Sequence, residues 1–289
     1  MGETIQQHMV MAAPVVATGV QVNRAALDRA TIDAWLDGIL PPVADNPVRD
    51  AMRYAVIDGG QRLRPLLSLR VARMVQADHP AVLSAAGAVE LVHCASLIVD
   101  DLPCMDDSAT RRGRPCVHLV YGEPVALLAA FSLIALAGRL PVEQGPRESL
   151  PALVRFQRKL LSTLDCGSLV AGQVLDLATR GADRLRQSEA ISDLKTVPLF
   201  RIAMEAGALL ADLTTDQQVA LDCFGREFGL AYQLVDDLLD GELDDPAPIR
   251  LRLSRARAAL APFGRASEHM EEMLDYLDGK TLQAHHRSR

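Results

Sequence analysis

Aromatic residues are scarce in this chain of 289, at 4%, and long β-branched runs are few. Alanine and leucine dominate instead, a composition that favours helix over strand. No stretch combines period-two alternation with a hairpin turn, so a β-rich fold is not expected. A basic excess is also missing. The formal net charge is -7, which argues against a nucleic-acid binder, whose footprint is basic. It leaves an anionic small-molecule substrate open, because local cations and metal can hold one on an acidic protein. The five cysteines, Cys94, Cys104, Cys116, Cys166 and Cys223, show no CxxC spacing. An odd count without a paired framework fits a reduced, cytoplasmic protein. The longest apolar run, Val125 to Ala137 with only Ser132 interrupting it, is too short to span a bilayer and reads as a core helix, so no transmembrane segment is expected. The N-terminal residues lack a basic region before their mildly apolar stretch, so they do not read as a signal peptide. Residues 1–22 are expected to be disordered.

What the chain does contain is apolar material, 49% of its residues, enough for a sizeable core. Helical periodicity runs from Arg24 onward. Breaks are expected at Pro41-Pro42 with Asn46-Pro47, at Gly59-Gly60, at His79-Pro80, from Pro141 to Pro151, and from Leu243 to Pro248. The segments Ser84–Val99 and Ala220–Val235 are apolar nearly all round, as buried helices are. No gap resembles an interdomain linker. The expectation is one all-α helical bundle over residues 23–280, shortened after 240, with 281–289 as a tail.

Two aspartate clusters sit at the ends of those buried helices. Leu97-Ile98-Val99 leads into Asp100, Asp101, Asp106 and Asp107; Leu234-Val235 leads into Asp236, Asp237 and Asp240. Carboxylates at the edge of a core lose hydration and repel one another, and a helix C-terminus is the wrong end for negative charge. Such clusters need a cation. Asp236 and Asp240 share a helix face, and Pro103 breaks the first helix so that the next turn returns Asp106. Oxygen-only donors suit magnesium, which takes one or two carboxylates plus phosphate oxygens. A lone DDxxD reads equally well as a solvated acidic loop; two of them behind two buried helices do not.

Basic and polar residues accompany the clusters. Arg111 and Arg112 follow the first within a short loop and could clamp a diphosphate or merely neutralise a surface. Gly59-Gly60-Gln61-Arg62-Leu63-Arg64-Pro65 is a second basic loop whose glycines allow close backbone approach. His93, two turns before Asp100, is either a core histidine or an anion ligand. Lys195, Thr196 and Gln233 could be caps, core hydrogen-bonding groups or substrate contacts, and the sequence leaves these open.

The string LIVDDLPCMDDSATRRGRPCVH (Leu97 to His118) closely resembles the first aspartate-rich region of trans-prenyltransferases. GGQRLRP, AGQVLDLA, LKT and AYQLVDDLLD resemble that family's other motifs, in order, over about Arg24 to Asp240. The likeness is greatest to bacterial geranylgeranyl diphosphate synthases. It implies an isoprenoid-synthase bundle around a deep central cavity, working as a homodimer, and a magnesium-dependent joining of isopentenyl diphosphate to an allylic diphosphate, with manganese a substitute metal. It implies that Asp100, Asp101, Asp106, Asp236 and Asp240 hold the metal, with Asp237 beside them among the catalytic carboxylates. Arg111, Lys195 and Gln233 would contact the allylic substrate, with Lys195 also among the catalytic residues and Thr196 among the substrate-binding ones; Gln61, Arg64, Arg112 and His93 would contact isopentenyl diphosphate. Ala95 and Ser96, about one turn below Asp100, stand where shorter-chain relatives tend to carry an aromatic ring, so small residues there imply room for a geranylgeranyl tail; Ala95 could equally serve close helix packing.

Two positions depart from the pattern. Gln61 replaces the usual lysine, which implies weaker isopentenyl diphosphate binding. After Asp240 the chain lacks the lysine-bearing loop that closes over the allylic diphosphate in the family, leaving Arg250 or Arg252 as candidate replacements. The shortened loop keeps two alternatives open: a diphosphate-binding partner subunit with little turnover of its own, and a class I terpene cyclase. The second aspartate cluster and the two-arginine loop favour coupling over cyclisation.

Overall fold

Local capping chemistry starts the helices where the sequence breaks them. In the computed structural model, which describes residues 24–57, 59–179 and 182–287, α1 covers Arg24–Ile39 and α2 covers Pro47–Val56. Asn46 caps α2, its side-chain oxygen accepting from the Arg49 N–H at 2.9 Å, and Pro47 follows at a position that needs no donor. After α3 (Leu63–Met74), His79 caps α4 (Pro80–Asp100) by accepting from the Ala81 N–H at 3.0 Å. The expected disordered segment 1–22 lies outside the described residues.

α4 is the centre of the molecule. It packs against α3, against α6 (Glu123–Gln144) and against α10 (Val197–Gly207). Its side chains from Ala81 to Val92 are almost all buried, as the all-round apolar pattern requires. α11 (Thr215–Leu239), opened by a Thr214–Gln217 capping box, packs against α10, against α12 (Ala247–Ala259) and against α13 (Glu268–Arg287). The remaining helices are α5 (Val117–Tyr121), α7 (Leu150–Ser162), α8 (Leu169–Ala178) and α9 (Ala182–Lys195). The all-α expectation holds.

Three local features differ from the expected pattern. Pro141 does not end α6, which continues to Gln144. The proline removes only its own N–H from a ladder about to finish, and the Gly145 N–H closes on the Pro141 carbonyl at 3.1 Å. A small antiparallel hairpin, β1 (Thr110–Arg111) with β2 (Arg114–Pro115), was not legible. Strands this short show no alternation; the turn itself places Arg112 at φ 55° and Gly113 at φ 76°, the left-handed pair a tight hairpin needs. Within the expected tail, α13 continues to Arg287, and Thr281 is fully buried.

By length and composition α4 and α6 could each cross a membrane, but 72% of the apolar window of α4 is buried inside the fold. A core helix passes the same test.

Candidate active site

Both aspartate-bearing helix ends open on one cavity of about 390 Å³. Asp100 and Asp106 reach it from the first cluster, and Asp236 from the second. Arg111, Arg112, Lys195, Thr196 and Gln233 line it too, as do Gln61, Arg64, His93 and Ser96. Apolar wall comes from Leu97, Leu169 and Leu199. Four expected site residues lie outside this lining. Asp101 is turned to the hairpin, accepting from Arg111 Nε at 3.0 Å and Nη2 at 2.5 Å. Asp237 lines an adjoining pocket, where its side chain accepts from Gln233 at 3.0 Å. Asp240 stands exposed as the C-cap of α11. Ala95 is buried in the core.

Burial sets the electrostatics. It pushes the Asp100 carboxyl up to about 6, against the pull of Lys195, while Asp106 adds to the rise. Burial likewise raises Asp236 to about 6, opposed by Lys280 of α13 and a hydrogen bond from Tyr232, with Asp240 and Asp237 adding to it. On the basic side, burial and then Arg64, Arg112, Arg111 and Arg62 hold His93 well below the ordinary histidine range. Burial lowers the Arg64 guanidinium from its usual value; it lies over the Phe200 ring at 4.4 Å, and its Nε finds no partner among the described residues. The cavity thus brings raised carboxyls and several cationic side chains together, a combination characteristic of functional sites.

The loops are held from behind. Arg62, fully buried with φ 53°, donates to Asp33 at 2.7 Å, to Glu90 at 2.9 Å and to the Val56 carbonyl at 2.5 Å. It straps the Gly59–Arg64 loop to α1, α2 and α4, leaving Gln61 and Arg64 to face the cavity. Arg112 crosses to donate to the Gly59 carbonyl at 3.2 Å. A side chain on Gly60 would collide with that guanidinium, its Cβ only 2.6 Å from Arg112 Cζ.

Lys195 is shared between acids, 2.8 Å from Asp176 and 3.8 Å from Asp100. Asp176 was missed as a functional residue, although it sits three positions after Gln173 in the otherwise apolar α8. Gln173 is itself buried, its carboxamide unpartnered among the described residues. Two polar groups on one face of such a helix are the signal that could have found them. Glu90 and Tyr232, which also line the cavity, were likewise missed. Thr196 Oγ1 donates to the Gln233 side-chain oxygen at 3.0 Å, so Thr196 and Asp237 together fix which way the Gln233 amide points. Arg252, one of the two candidate replacement cations, is engaged by Glu189 at 2.6 Å and Glu227 at 3.1 Å.

Among the described residues, no three His, Cys, Asp or Glu side chains converge closely enough to hold an ion by themselves. This donor set fits magnesium only with phosphate oxygens completing the shell, which is how that ion binds. The raised Asp100 and Asp236 carboxyls are acids that a cation would return to the charged form.

The polyprenyl synthetase family model matches residues 45–247. The chain belongs to the polyprenyl synthetase family. A geranylgeranyl diphosphate synthase of Pantoea ananas is 39% identical over 233 residues, covering 78% of this chain and 76% of that one. Geranylgeranyl pyrophosphate synthase 12 of Arabidopsis thaliana, a chloroplastic protein, is 38% identical over 215 residues, covering 73% of this chain. The chain spans only 60% of that plant relative's length. Among solved members of the fold, a Zymomonas mobilis FPP/GFPP synthase superposes with a TM-score of 0.81 at 30% identity, covering 88% of this chain and 96% of that one. A geranyltransferase from Legionella pneumophila superposes at 0.79 with 27% identity, covering 89% and 99%.

Proposed function

We propose that this polyprenyl synthetase joins isopentenyl diphosphate head to tail to an allylic diphosphate, giving geranylgeranyl diphosphate. The observation that carries the reading is the single cavity shared by two acidic helix ends and two arginine-bearing loops. Asp100, Asp106 and Asp236 would hold magnesium, with Asp101 and Asp240 beside them, and that charge favours departure of the diphosphate. Arg111, Lys195 and Gln233 are assigned to the allylic diphosphate. Arg64, Arg112, His93 and Gln61 are assigned to isopentenyl diphosphate. The allylic C–O bond breaks, and its electron pair leaves on the diphosphate. The double bond of isopentenyl diphosphate attacks the allylic carbon, and loss of a proton restores an alkene. Leu97, Leu169 and Leu199 keep water from the cation. Holding both substrates in one orientation makes the coupling effectively unimolecular.

The small Ser96 on the cavity wall supports the longer product; Ala95 faces the core, so its substitution acts on packing first. A homodimer is part of the proposal, supported by a run of exposed apolar residues on α6: Leu127, Leu128 and Phe131, the last 65% exposed.

The test is incubation with magnesium, labelled isopentenyl diphosphate and dimethylallyl, geranyl or farnesyl diphosphate in turn. Geranylgeranyl diphosphate is the expected product, and Ser96→Phe is expected to stop elongation earlier. No elongation by the folded protein with any primer would overturn the reading. It would favour a second one, a diphosphate-binding partner subunit. That alternative draws support from the short connection 240–246 between α11 and α12, which carries no lysine.

A further inference from the structure

The hairpin carrying Arg111 and Arg112 has strands of two residues each, too short to hold their own shape in water. Its two arginines nevertheless point to different partners, Arg111 to Asp101 and Arg112 to the Gly59 carbonyl. Something must fix the hairpin for that divergence to persist. Tyr54, half-buried in the last turn of α2, holds it in two ways. Its hydroxyl donates to the Pro115 carbonyl at 2.9 Å, and its ring carries the Arg114 guanidinium at 3.9 Å. Behind, the Tyr121 ring meets it edge-on at 5.6 Å, which limits its freedom to turn. α2 then leads within a few residues into Gly59-Gly60-Gln61, the other cation-bearing loop. One side chain therefore ties the hairpin to the helix from which that loop departs. Tyr54 does not line the main cavity.

We propose that Tyr54 is a positioning residue: by locking the Thr110–Pro115 hairpin to the end of α2, it sets the separation between the two anion-binding loops. The kinetic part of this inference rests on the prenyl-transfer reading; the structural part does not. A ring stacked under Arg114 and a hydroxyl bonded to Pro115 make separable contributions, so Tyr54→Phe keeps the first and Tyr54→Leu removes both.

The experiment combines three measurements on the full chain: amide exchange of residues 110–114, affinity for inorganic diphosphate with magnesium, and the KM for isopentenyl diphosphate. Tyr54→Leu is expected to speed hairpin exchange and to weaken diphosphate binding roughly tenfold, the factor carried by a lost hydrogen bond with a lost cation–π contact. Its KM rises while the melting temperature changes little, and Tyr54→Phe recovers part of each loss. Unchanged exchange and affinity in folded Tyr54→Leu would overturn the proposal, as would a Tyr54→Phe variant as impaired as the leucine one. If Tyr54→Leu does not fold, Tyr54→Phe and Arg114→Gln make the same comparison. Exchange and diphosphate affinity need no turnover, so a parent protein that fails to elongate any primer sinks the functional reading and leaves this one standing on its own readouts.

Discussion

At the scale of single residues, the cavity stores its charge in unfavourable forms. Asp100 folds with a carboxyl at about 6, above the ordinary range. An acid raised on folding stabilises the native state at low pH and loses that contribution as pH climbs through the folded value. Without metal, Asp100 therefore costs the fold on the order of 3 kcal/mol at neutral pH relative to its protonated form, and Asp236 acts in the same direction. Two outcomes are expected. The metal-free protein melts at a higher temperature at pH 5.5 than at pH 7.5, and near pH 6 binding of magnesium with diphosphate releases more protons with the parent protein than with an Asp100→Asn variant. Calorimetry in buffers of different ionisation enthalpy reads the release; equal release with the two proteins near pH 6 would remove this account of the site. At this scale the sequence was informative about the acids. A buried helix ending in aspartates is costly unless a cation answers it. It marked Asp176 only as a polar residue on an apolar helix, because the partner that gives it meaning, Lys195, is 19 positions away in sequence and 2.8 Å away in space.

Elements rather than residues explain how Lys195 arrives there. α8 approaches the end of α9 so closely that a Cβ on Gly172 would lie 2.4 Å from the Lys195 backbone nitrogen and 2.7 Å from the Leu194 carbonyl carbon. Backbone cannot move aside as a side chain can, so Gly172→Ala must separate the two helices and shift Lys195 away from Asp176 and Asp100. The expected result is a loss of about 1–3 kcal/mol of stability and a fall in kcat/KM of about tenfold or more, measured by denaturant titration and steady-state assay. An alanine variant with parental kinetics would show that Lys195 does not depend on this contact. Helix boundaries at Asn46-Pro47 and His79-Pro80 were readable because capping is local chemistry. The hairpin was not, because its strands are too short to show alternation and its partners, Tyr54, Asp101 and Gly59, lie on other elements.

For the whole molecule, the outer face of α6 is the feature the fold leaves unexplained by itself. Leu127, Leu128 and Phe131, close together on it, are 38%, 52% and 65% exposed in the single chain, and adjoining exposed apolar side chains of this kind mark contact surfaces. A second copy covering α6 predicts a dimer in solution. Phe131→Glu buries a charge at that contact and is expected to give monomers by light scattering at micromolar concentration; a monomeric parent would refute the covering copy.

The linear order of residues determined that this chain is helical, where most helices begin, and that two acidic helix ends need cations, because capping, periodicity and carboxylate desolvation act over a few residues. Only the tertiary structure decided that Asp101 accepts from Arg111, that Arg252 is engaged by Glu189 and Glu227, that Ser96 rather than Ala95 meets the cavity, that Tyr54 bonds to the Pro115 carbonyl of the hairpin, and that Gly172 lies against the Lys195 backbone. Those outcomes depend on which helix faces meet, a property of packing between segments far apart in the chain, which no local pattern encodes.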